Sequence, residues 1–290
     1  MTQIIDALSD VSDRYDAVLC DLWGCLHNGR NAFPDAVRAL QDFRTKGGTV
    51  VLLTNAPRPR VNVAEQLDKL DAPRDSWDLI VTSGDSARTA MFEGVIGDKA
   101  YFIGYERDLT FFEVPKIVDN PIEITRVPLE DATGIVVTGP EDPYADPAVY
   151  RPQFLYAKQK GLKLLCANPD IIVDYGEKRQ WCAGALARLY TEMGGESLYF
   201  GKPHPPIYDL ARRRLATLGK LPPDSRILCI GDGIKTDVSG AIGEDLDVLF
   251  ITGGLAAEET KTVNQPDAGA LSVYLKKEMY DPNYSIGFLR

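Results

Sequence analysis

The sequence predicts a doubly wound α/β fold, in which a parallel sheet of the Rossmann type forms a core that is interrupted by an inserted α/β cap domain. Short apolar runs alternate with stretches of helical periodicity near both ends of the chain. A strand, a helix and a second strand at this spacing form a βαβ unit, which requires parallel strands. Between the two ends lies a segment with apolar runs of its own and with loops rich in proline and acidic residues.

The first βαβ unit follows from the local pattern. The apolar run Ala17–Cys20 stops at Asp21, and Pro34 opens a helical pattern that two consecutive glycines close. The β-branched and apolar run 49–53 then ends in Thr54 and Asn55. A further helix is predicted over 60–70, because apolar residues recur there at helical spacing.

The same alternation returns in the last third of the chain. The run 198–200 leads into Lys202, a helix is predicted over 206–218, and the run 227–230 leads into Asp232. A further run, 248–251, is followed by a pair of glycines. Because these pieces match the first ones in length and composition, we expect all of them to complete one doubly wound sheet.

The middle of the chain predicts a second domain. Strands are expected over 100–103, 135–137 and 162–166, and about ninety residues are enough for an independent α/β domain. We therefore expect residues 1–87 and 181–290 to form the core domain. Residues 88–180 are expected to form a cap domain inserted into it.

Composition and charge exclude several classes of partner. The 290 residues carry a net charge of −10 and the pI is near 4.8, which argues against nucleic acid or an anionic membrane surface. The start of the chain lacks the basic and apolar regions of a signal peptide, and no apolar run is long enough to span a bilayer. Five cysteines, mostly in apolar runs, are typical of a reducing compartment. We therefore expect a cytoplasmic protein.

Polar side chains stand at the predicted carboxyl ends of four strands, where open parallel sheets bind their ligands. They are Asp21, the pair Thr54 and Asn55, Lys202, and Asp232, with Asp237 one helical turn further on. Each one alone could be a turn residue, a helix cap or a solvated side chain. Together they predict an active site that combines carboxylates with a hydroxyl and a lysine.

Four segments in this order, 21–26, 53–55, 201–203 and 231–237, resemble the four motifs of the haloacid dehalogenase superfamily. The large insert between the second and third motifs resembles the subgroup with an α/β cap, which includes nucleotide, sugar-phosphate, nitrophenyl-phosphate and pyridoxal-phosphate phosphatases. The resemblance implies Mg²⁺-dependent hydrolysis of small phosphorylated metabolites, that is of phosphomonoesters. The reaction would pass through an aspartyl-phosphate on Asp21.

The resemblance also implies the roles of the site residues. The catalytic residues would be Asp21, Thr54, Asn55 and Lys202, and the positions of the magnesium site would be Asp21, Trp23, Asp232 and Asp237. A carboxylate that attacks phosphorus forms an acyl phosphate. Because the carboxylate and the phosphate are both anions and repel each other, Mg²⁺ would neutralise part of their charge. The Thr54 hydroxyl would hold a phosphoryl oxygen, and the Lys202 ammonium would balance the charge of the nucleophile.

Trp23 departs from the pattern of the phosphatases in this superfamily. They usually have a second aspartate two residues after the nucleophile, which protonates the leaving oxygen and then activates water, and an indole can do neither. Such a group contributes about 10²–10⁴-fold to the rate. His27 or His204 could replace it, although a structural role is the stronger expectation for both. Alternatively, the enzyme could accept only good leaving groups, such as aryl or acyl phosphates, or the phospho-enzyme could persist.

Two other functions stay open on the sequence. The chain could be a metal- and phosphate-binding module with little or no turnover, in which Trp23 fills the space of the missing acid. A dehalogenase would also carry an aromatic residue at that place, because a halide leaves without a proton. Against this, such enzymes need no Mg²⁺ and have their cap inserted elsewhere. Asp232 and Asp237 are retained here, and they would repel a nucleophilic carboxylate without a cation.

The predicted cap carries the candidates for substrate selection. The resemblance places a specificity loop after the run 162–166, so Asn168 and Asp170 are the expected substrate-binding residues. Lys178 and Arg179 could meet a second anionic group, or this whole loop, which includes Gly176, could simply be solvated. Caps of this size often pair in related proteins, so a homodimer stays open. The sequence does not name the metabolite.

Overall fold

The computed structural model of the chain describes residues 2–175 and 178–290, which form two compact units. The core unit comprises the chain up to Thr54 together with Ala64–Val81 and Tyr208–Arg290. The second unit comprises Asn55–Val63 and Thr82–Ile207. The domain boundaries at 88 and 181 stay a prediction, since the second unit also takes in residues on both sides of that segment.

Strands and helices alternate over most of the described chain. The strands are β1 (Gln3–Ile4), β2 (Ala17–Cys20), β3 (Thr49–Thr54), β4 (Leu79–Thr82), β5 (Lys99–Ile103), β6 (Thr125–Arg126), β7 (Gly134–Val137), β8 (Lys163–Cys166), β9 (Ile172–Tyr175), β10 (Lys178–Trp181), β11 (Glu196–Tyr199), β12 (Ile227–Gly231), β13 (Asp247–Ile251) and β14 (Tyr284–Ile286). The helices are α1 (Pro34–Thr45), α2 (Arg60–Lys69), α3 (Ser83–Phe92), α4 (Arg151–Gln159), α5 (Ala183–Glu192), α6 (Pro205–Thr217), α7 (Ser239–Gly243) and α8 (Ala268–Glu278).

The core unit is built on a seven-stranded sheet with the order β1-β14-β13-β12-β2-β3-β4. The pairs from β1 through β3 are all parallel. Every residue of β2, β3 and β12 is buried, as expected for central strands that are covered on both faces. The prediction of an α/β fold with a parallel sheet is therefore confirmed.

The second unit has a five-stranded sheet with the order β11-β8-β7-β5-β6, in which all neighbours are parallel. Successive side chains of β7 point to opposite faces, and both faces are apolar cores: Ile135 and Val137 belong to one cluster, whereas Val136 belongs to the other. Strands β9 and β10 form a separate antiparallel pair. The second unit thus contains an α/β core of its own.

Local sequence explains why α1 begins and ends where it does. Pro34 occupies the first turn, where its missing N–H and fixed φ are tolerated. Val37, Leu40 and Phe43 lie on the buried face at helical spacing. Gly47 follows the helix at a φ of +97°, a left-handed conformation that glycine adopts without strain.

One strand was assigned to the wrong sheet. The run 198–200 was expected to complete the core sheet, but β11 pairs with β8 in the sheet of the second unit. Its apolar pattern fits either sheet equally well, because periodicity predicts that a segment is a half-buried strand but does not predict which strand it pairs with. Strand β4 of the core sheet, the short strands β1, β6 and β14, and the pair β9 and β10 were not predicted.

Candidate active site

Three side chains of the core unit lie at the carboxyl edge of neighbouring central strands. Asp21 directly follows β2, Thr54 is the last residue of β3, and Asp232 directly follows β12. Since the order is β12-β2-β3 and all three strands are parallel, these positions meet at one edge of the sheet. The Asp21 amide donates to the carbonyl of Ile230 at 2.8 Å, which holds the nucleophile position against β12.

A cluster of possible metal ligands is formed by Asp21, Cys25 and Asp232. One ligand atom from each, a carboxylate oxygen or Sγ, lies within 4.8 Å of the others. Asp232 is 7% exposed and Cys25 is fully buried. Burial raises the pKa of the Cys25 thiol well above its ordinary value, and the charges of Asp232 and Asp21 raise it further. The cluster therefore concentrates negative charge in a poorly solvated place.

Backbone encloses the Asp232 carboxylate closely. A Cβ on Gly24 would lie 2.2 Å from Asp232 Oδ2, and a Cβ on Gly254 would lie 2.0 Å from the same atom. Gly24 also has a φ of +72°, so both its conformation and its surroundings require glycine. The amide of Leu255 donates to Asp232 Oδ2 at 3.1 Å. This cradle fixes the carboxylate in place.

The donor set fits a hard divalent cation. Mg²⁺ takes oxygen ligands and is usually bound by one or two carboxylates. Two carboxylates held together at a buried edge would repel each other unless a cation or a proton neutralises them. Asp21 and Asp232 therefore meet the chemical requirement for Mg²⁺. Trp23, the other predicted position next to Asp21, can offer only its main-chain carbonyl as a ligand, since an indole is purely a donor.

Asp237 has a different environment from Asp232. Its Oδ2 accepts from the amide of Gly233 at 3.0 Å and from the Thr236 hydroxyl at 3.2 Å. The side chain is buried and belongs to a π-helical turn, Ile234–Val238, while the metal-ligand cluster found among the described residues does not include it. These bonds shape the loop that follows Asp232, which suits the expected role of an orienting residue.

The Trp23 indole lies against the turn that follows it. Its ring meets the His27 imidazole edge to face, with centroids 5.2 Å apart, and a Cβ on Gly29 would lie 2.3 Å from Trp23 Cη2. His27 is 1% exposed, and its Nδ1 accepts from the Gly29 amide at 3.0 Å. Burial lowers the pKa of His27 to about 4, so the ring is neutral at pH 7. His27 is therefore a packing partner of Trp23.

In the second unit, Asn55 joins two further predicted site residues. Its Nδ2 donates to Asp170 Oδ1 at 2.8 Å and to the Lys202 carbonyl at 3.1 Å. Its Oδ1 accepts from the Lys202 amide at 2.7 Å. Asn168 Oδ1 in turn accepts from the Asp170 amide at 3.0 Å. One amide side chain therefore ties the loop of Lys202 to the loop of Asp170.

The other predicted residues of the second unit lie in β10 and beside the end of β11. Lys178 and Arg179 are exposed in β10, and Gly176 lies outside the described residues. His204 stacks on Tyr199 with ring centroids 4.8 Å apart, and burial lowers its pKa. Its packing, like that of His27, is that of a structural residue.

Sequence reasoning missed two features of the cluster in the core unit. It did not assign a ligand atom to Cys25, although the position four residues after Asp21 placed the thiol in the same motif. It also gave no role to Gly254, whose contact with Asp232 depends on the chain returning after β13. Only the first of these had a signal in the sequence.

Comparison with known proteins supports the resemblance. The chain matches the family description "Haloacid dehalogenase-like hydrolase" over residues 18–114 and "HAD-hydrolase-like" over residues 199–274. A solved hydrolase of the haloacid dehalogenase-like family from Brucella suis 1330 is 39% identical, with a TM-score of 0.83, and the match covers 99% of this chain and 100% of that one.

Two more distant proteins are also similar. The ribonucleotide monophosphatase NagD of Escherichia coli K12 is 24% identical over 250 residues, which cover 83% of this chain and 88% of NagD. A glycerol phosphate phosphatase of Mycobacterium tuberculosis, solved in complex with magnesium, is 23% identical with a TM-score of 0.65. That match covers 84% of this chain and 70% of the other.

Fold and comparisons together define the class of the protein, which is a hydrolase with a doubly wound α/β core. The chain belongs to the haloacid dehalogenase-like family. The prediction of a hydrolase of this family is therefore confirmed. Within residues 2–175 and 178–290, no helix combines the length and the apolar character that crossing a bilayer requires.

Proposed function

We propose that this protein hydrolyses small phosphomonoesters in a Mg²⁺-dependent reaction that passes through an aspartyl-phosphate on Asp21. The observation that carries the proposal is the pairing of Asp21 with Asp232, whose ligand atoms lie within 4.8 Å at the carboxyl edge of the core sheet. A carboxylate at this edge, beside a second one that is cradled by backbone, suits a nucleophile and its metal ligand.

The chemistry divides one displacement into two. A carboxylate oxygen of Asp21 attacks phosphorus, and the ester oxygen leaves with its bonding electrons, either as a stable anion or after it takes up a proton from solvent. Water then attacks the acyl phosphate, which releases inorganic phosphate and regenerates the Asp21 carboxylate. Bound Mg²⁺ would supply charge neutralisation for the attack of one anion on another. Asp21, Asp232 and the carbonyl of Trp23 would hold it, with Asp237 as a ligand through water or as an orienter.

Lys202 and Thr54 are proposed to serve the phosphoryl group. An ammonium offers a point charge for the nucleophile or for phosphoryl oxygens, and a buried hydroxyl donates one hydrogen bond. Asn55 is proposed as the residue that positions Lys202, since it bonds both the amide and the carbonyl of that residue. The loop of Asn168 and Asp170, which Asn55 also holds, is proposed to select the substrate within a cap formed by the second unit.

Trp23 favours substrates whose leaving group needs no proton. Its indole lies against His27 and Gly29, and neither neighbour supplies an acid at pH 7. We therefore propose that aryl and acyl phosphates are turned over faster than alkyl phosphates. The names of the relatives, a ribonucleotide monophosphatase and a glycerol phosphate phosphatase crystallised with magnesium, support phosphomonoesters as the substrate class and a divalent cation as the cofactor.

Two further expectations belong to this proposal. Five buried, free cysteines suit the reducing cytoplasm. A homodimer is tested by the molar mass of the purified protein in light scattering, where a value near twice 32.0 kDa would support it.

The deciding experiment is steady-state hydrolysis of p-nitrophenyl phosphate by the wild type and by Asp21→Asn, with and without Mg²⁺. We expect Mg²⁺-dependent turnover that Asp21→Asn abolishes without unfolding the protein, because an amide cannot form the acyl phosphate. The matched control is Asp13→Asn, which makes the same change at a side chain that is 89% exposed. Turnover retained in Asp21→Asn would contradict the mechanism.

A metal- and phosphate-binding module without turnover is the second candidate. The observation that favours it is Trp23, since the position of the usual acid holds an indole that packs on its own turn. Absence of turnover with p-nitrophenyl phosphate, combined with Mg²⁺-dependent binding of inorganic phosphate in calorimetry, would favour this module over the phosphatase.

A further inference from the structure

A thiol completes the cluster of ligand atoms at the edge of the core sheet. Cys25 Sγ lies within 4.8 Å of a carboxylate oxygen from both Asp21 and Asp232. Its side chain is 0% exposed. A buried sulfur beside two carboxylates is a soft donor next to two hard ones, so this place offers a metal ion more than oxygen ligands.

The turn that carries Cys25 fixes the main chain from which the thiol projects. The amides of Leu26 and His27 both donate to the Leu22 carbonyl, at 2.8 and 3.0 Å, and the Gly24 amide donates to the His27 carbonyl at 3.0 Å. These bonds close a tight loop directly after Asp21. The main chain of Cys25 is therefore held close to Asp21, and the buried thiol lies beside the two carboxylates.

We propose that Asp21, Cys25 and Asp232 bind a thiophilic divalent cation of the Zn²⁺ class, with Cys25 Sγ as the third protein ligand. Zinc takes sulfur at about 2.3 Å and carboxylate oxygen at about 2.0–2.2 Å. In a tetrahedral site these bonds place the ligand atoms about 3.6 Å apart, so atoms that lie within 4.8 Å of one another need only small side-chain movements to close around a single ion. The Cys25 proton passes to solvent as the sulfur–metal bond forms, and no electron is transferred.

The thiol discriminates between metals. Sulfur ligands select soft and borderline cations, whereas Mg²⁺ prefers oxygen and gains nothing from Cys25. Because Asp21 and Asp232 belong to both donor sets, the thiophilic cation excludes Mg²⁺ from this place. The inference rests on the proposed function only in that it uses the same two carboxylates, and it predicts an enzyme that Zn²⁺ inhibits.

The test uses Co²⁺ as a spectroscopic probe in place of Zn²⁺, with the purified full-length protein freed of metal. We expect one Co²⁺ per chain and a near-ultraviolet sulfur-to-cobalt charge-transfer band, which added Zn²⁺ removes. Cys25→Ser is expected to lose the band and to bind Zn²⁺ at least about tenfold more weakly. The estimate follows because even residues that only support a metal ligand contribute 10–100-fold to affinity.

The matched control is Cys229→Ser, which removes another buried thiol of the core unit and leaves the cluster intact. It should keep the band. A wild type without the band, or a band that persists in Cys25→Ser, overturns the proposal. If Cys25→Ser does not fold, Asp232→Asn takes its place in the experiment. We then expect a weaker charge-transfer band and a lower Co²⁺ affinity. An unchanged band and an unchanged affinity would contradict a site that Asp232 shares with Cys25.

The two proposals fail separately. Absence of the charge-transfer band together with Mg²⁺-dependent turnover rejects Cys25 as a ligand and leaves the phosphatase intact. The band without any turnover supports the cation site and rejects the proposed hydrolysis.

Discussion

Replacing Gly24 by alanine tests whether the cradle around Asp232 is part of the active site. A Cβ at this position would lie 2.2 Å from Asp232 Oδ2, whereas ordinary contact begins near 3.4 Å. The carboxylate must therefore move by about 1 Å, and a misplacement of that size in an active site can lower the rate by about 10²-fold. The left-handed φ of +72° adds a backbone penalty of about 1–2 kcal/mol to folding.

The matched control is Gly219→Ala. Gly219 has a φ of +66°, close to that of Gly24, but a Cβ added there would have no neighbour within 4 Å. Both variants should therefore lose stability to the backbone penalty, and Gly24→Ala should lose more because its Cβ also displaces Asp232; urea unfolding measures both losses. Only Gly24→Ala should lose about 10²-fold in kcat/KM for p-nitrophenyl phosphate and bind Mg²⁺ more weakly. Equal activity in the two variants would refute the assignment of Asp232 to the metal site.

Two further predictions concern the turn after the nucleophile. Trp23→Asp supplies an acid and base two residues after Asp21. We expect the hydrolysis of alkyl phosphates to become about 10²–10⁴-fold faster, and the gain for aryl phosphates to be smaller. The ratio of kcat/KM for alkyl phosphates to kcat/KM for aryl phosphates measures this difference. His27 is neutral when buried, with its pKa lowered to about 4 from 6.5. Between pH 6.5 and pH 4 His27 is protonated in the unfolded chain but neutral in the folded one. The free energy of unfolding therefore falls by about 3 kcal/mol as the pH drops from 6.5 to 4. His27→Gln should remove that part of the pH dependence in urea unfolding.

Controls and contrary outcomes are available for both variants. Trp23→Phe also lacks a proton to give and should leave the ratio of alkyl to aryl turnover unchanged. If it raises the ratio as much as Trp23→Asp does, the effect comes from space and not from acid catalysis. If the stability of His27→Gln depends on pH between 4 and 6.5 as the wild type does, His27 is not buried as a neutral ring.

The carboxylate edge of the core sheet was predictable because its signals are local. Asp21 and Asp232 each follow a fully buried apolar strand, and parallel strands carry their carboxyl ends to one edge. The order β12-β2-β3 then brings those two residues and Thr54 to the same place. Motif and strand pattern supported each other, so the family and the fold class followed from the sequence.

Features that depend on contacts between distant segments were not predictable. The bonds from Asn55 to Asp170 span 115 positions and those to Lys202 span 147 positions, and no period or motif encodes such a pairing. The same limit explains why β11 was assigned to the core sheet. The direction of the Trp23 ring depends on the space that Gly29 leaves open, because a Cβ at that position would overlap the ring. This space depends on the three-dimensional course of the turn, which the sequence pattern does not specify.

The burial of every cysteine turns the thiols into native reporters of local opening. Cys20, Cys25 and Cys229 lie in the core unit, whereas Cys166 and Cys182 lie in the second unit. A thiol reagent can reach a buried sulfur only while its surroundings are transiently open, so the labelling rate measures the free energy of that opening. Mass spectrometry that resolves the five sites would therefore give separate opening free energies for the two units, with no probe introduced into the chain.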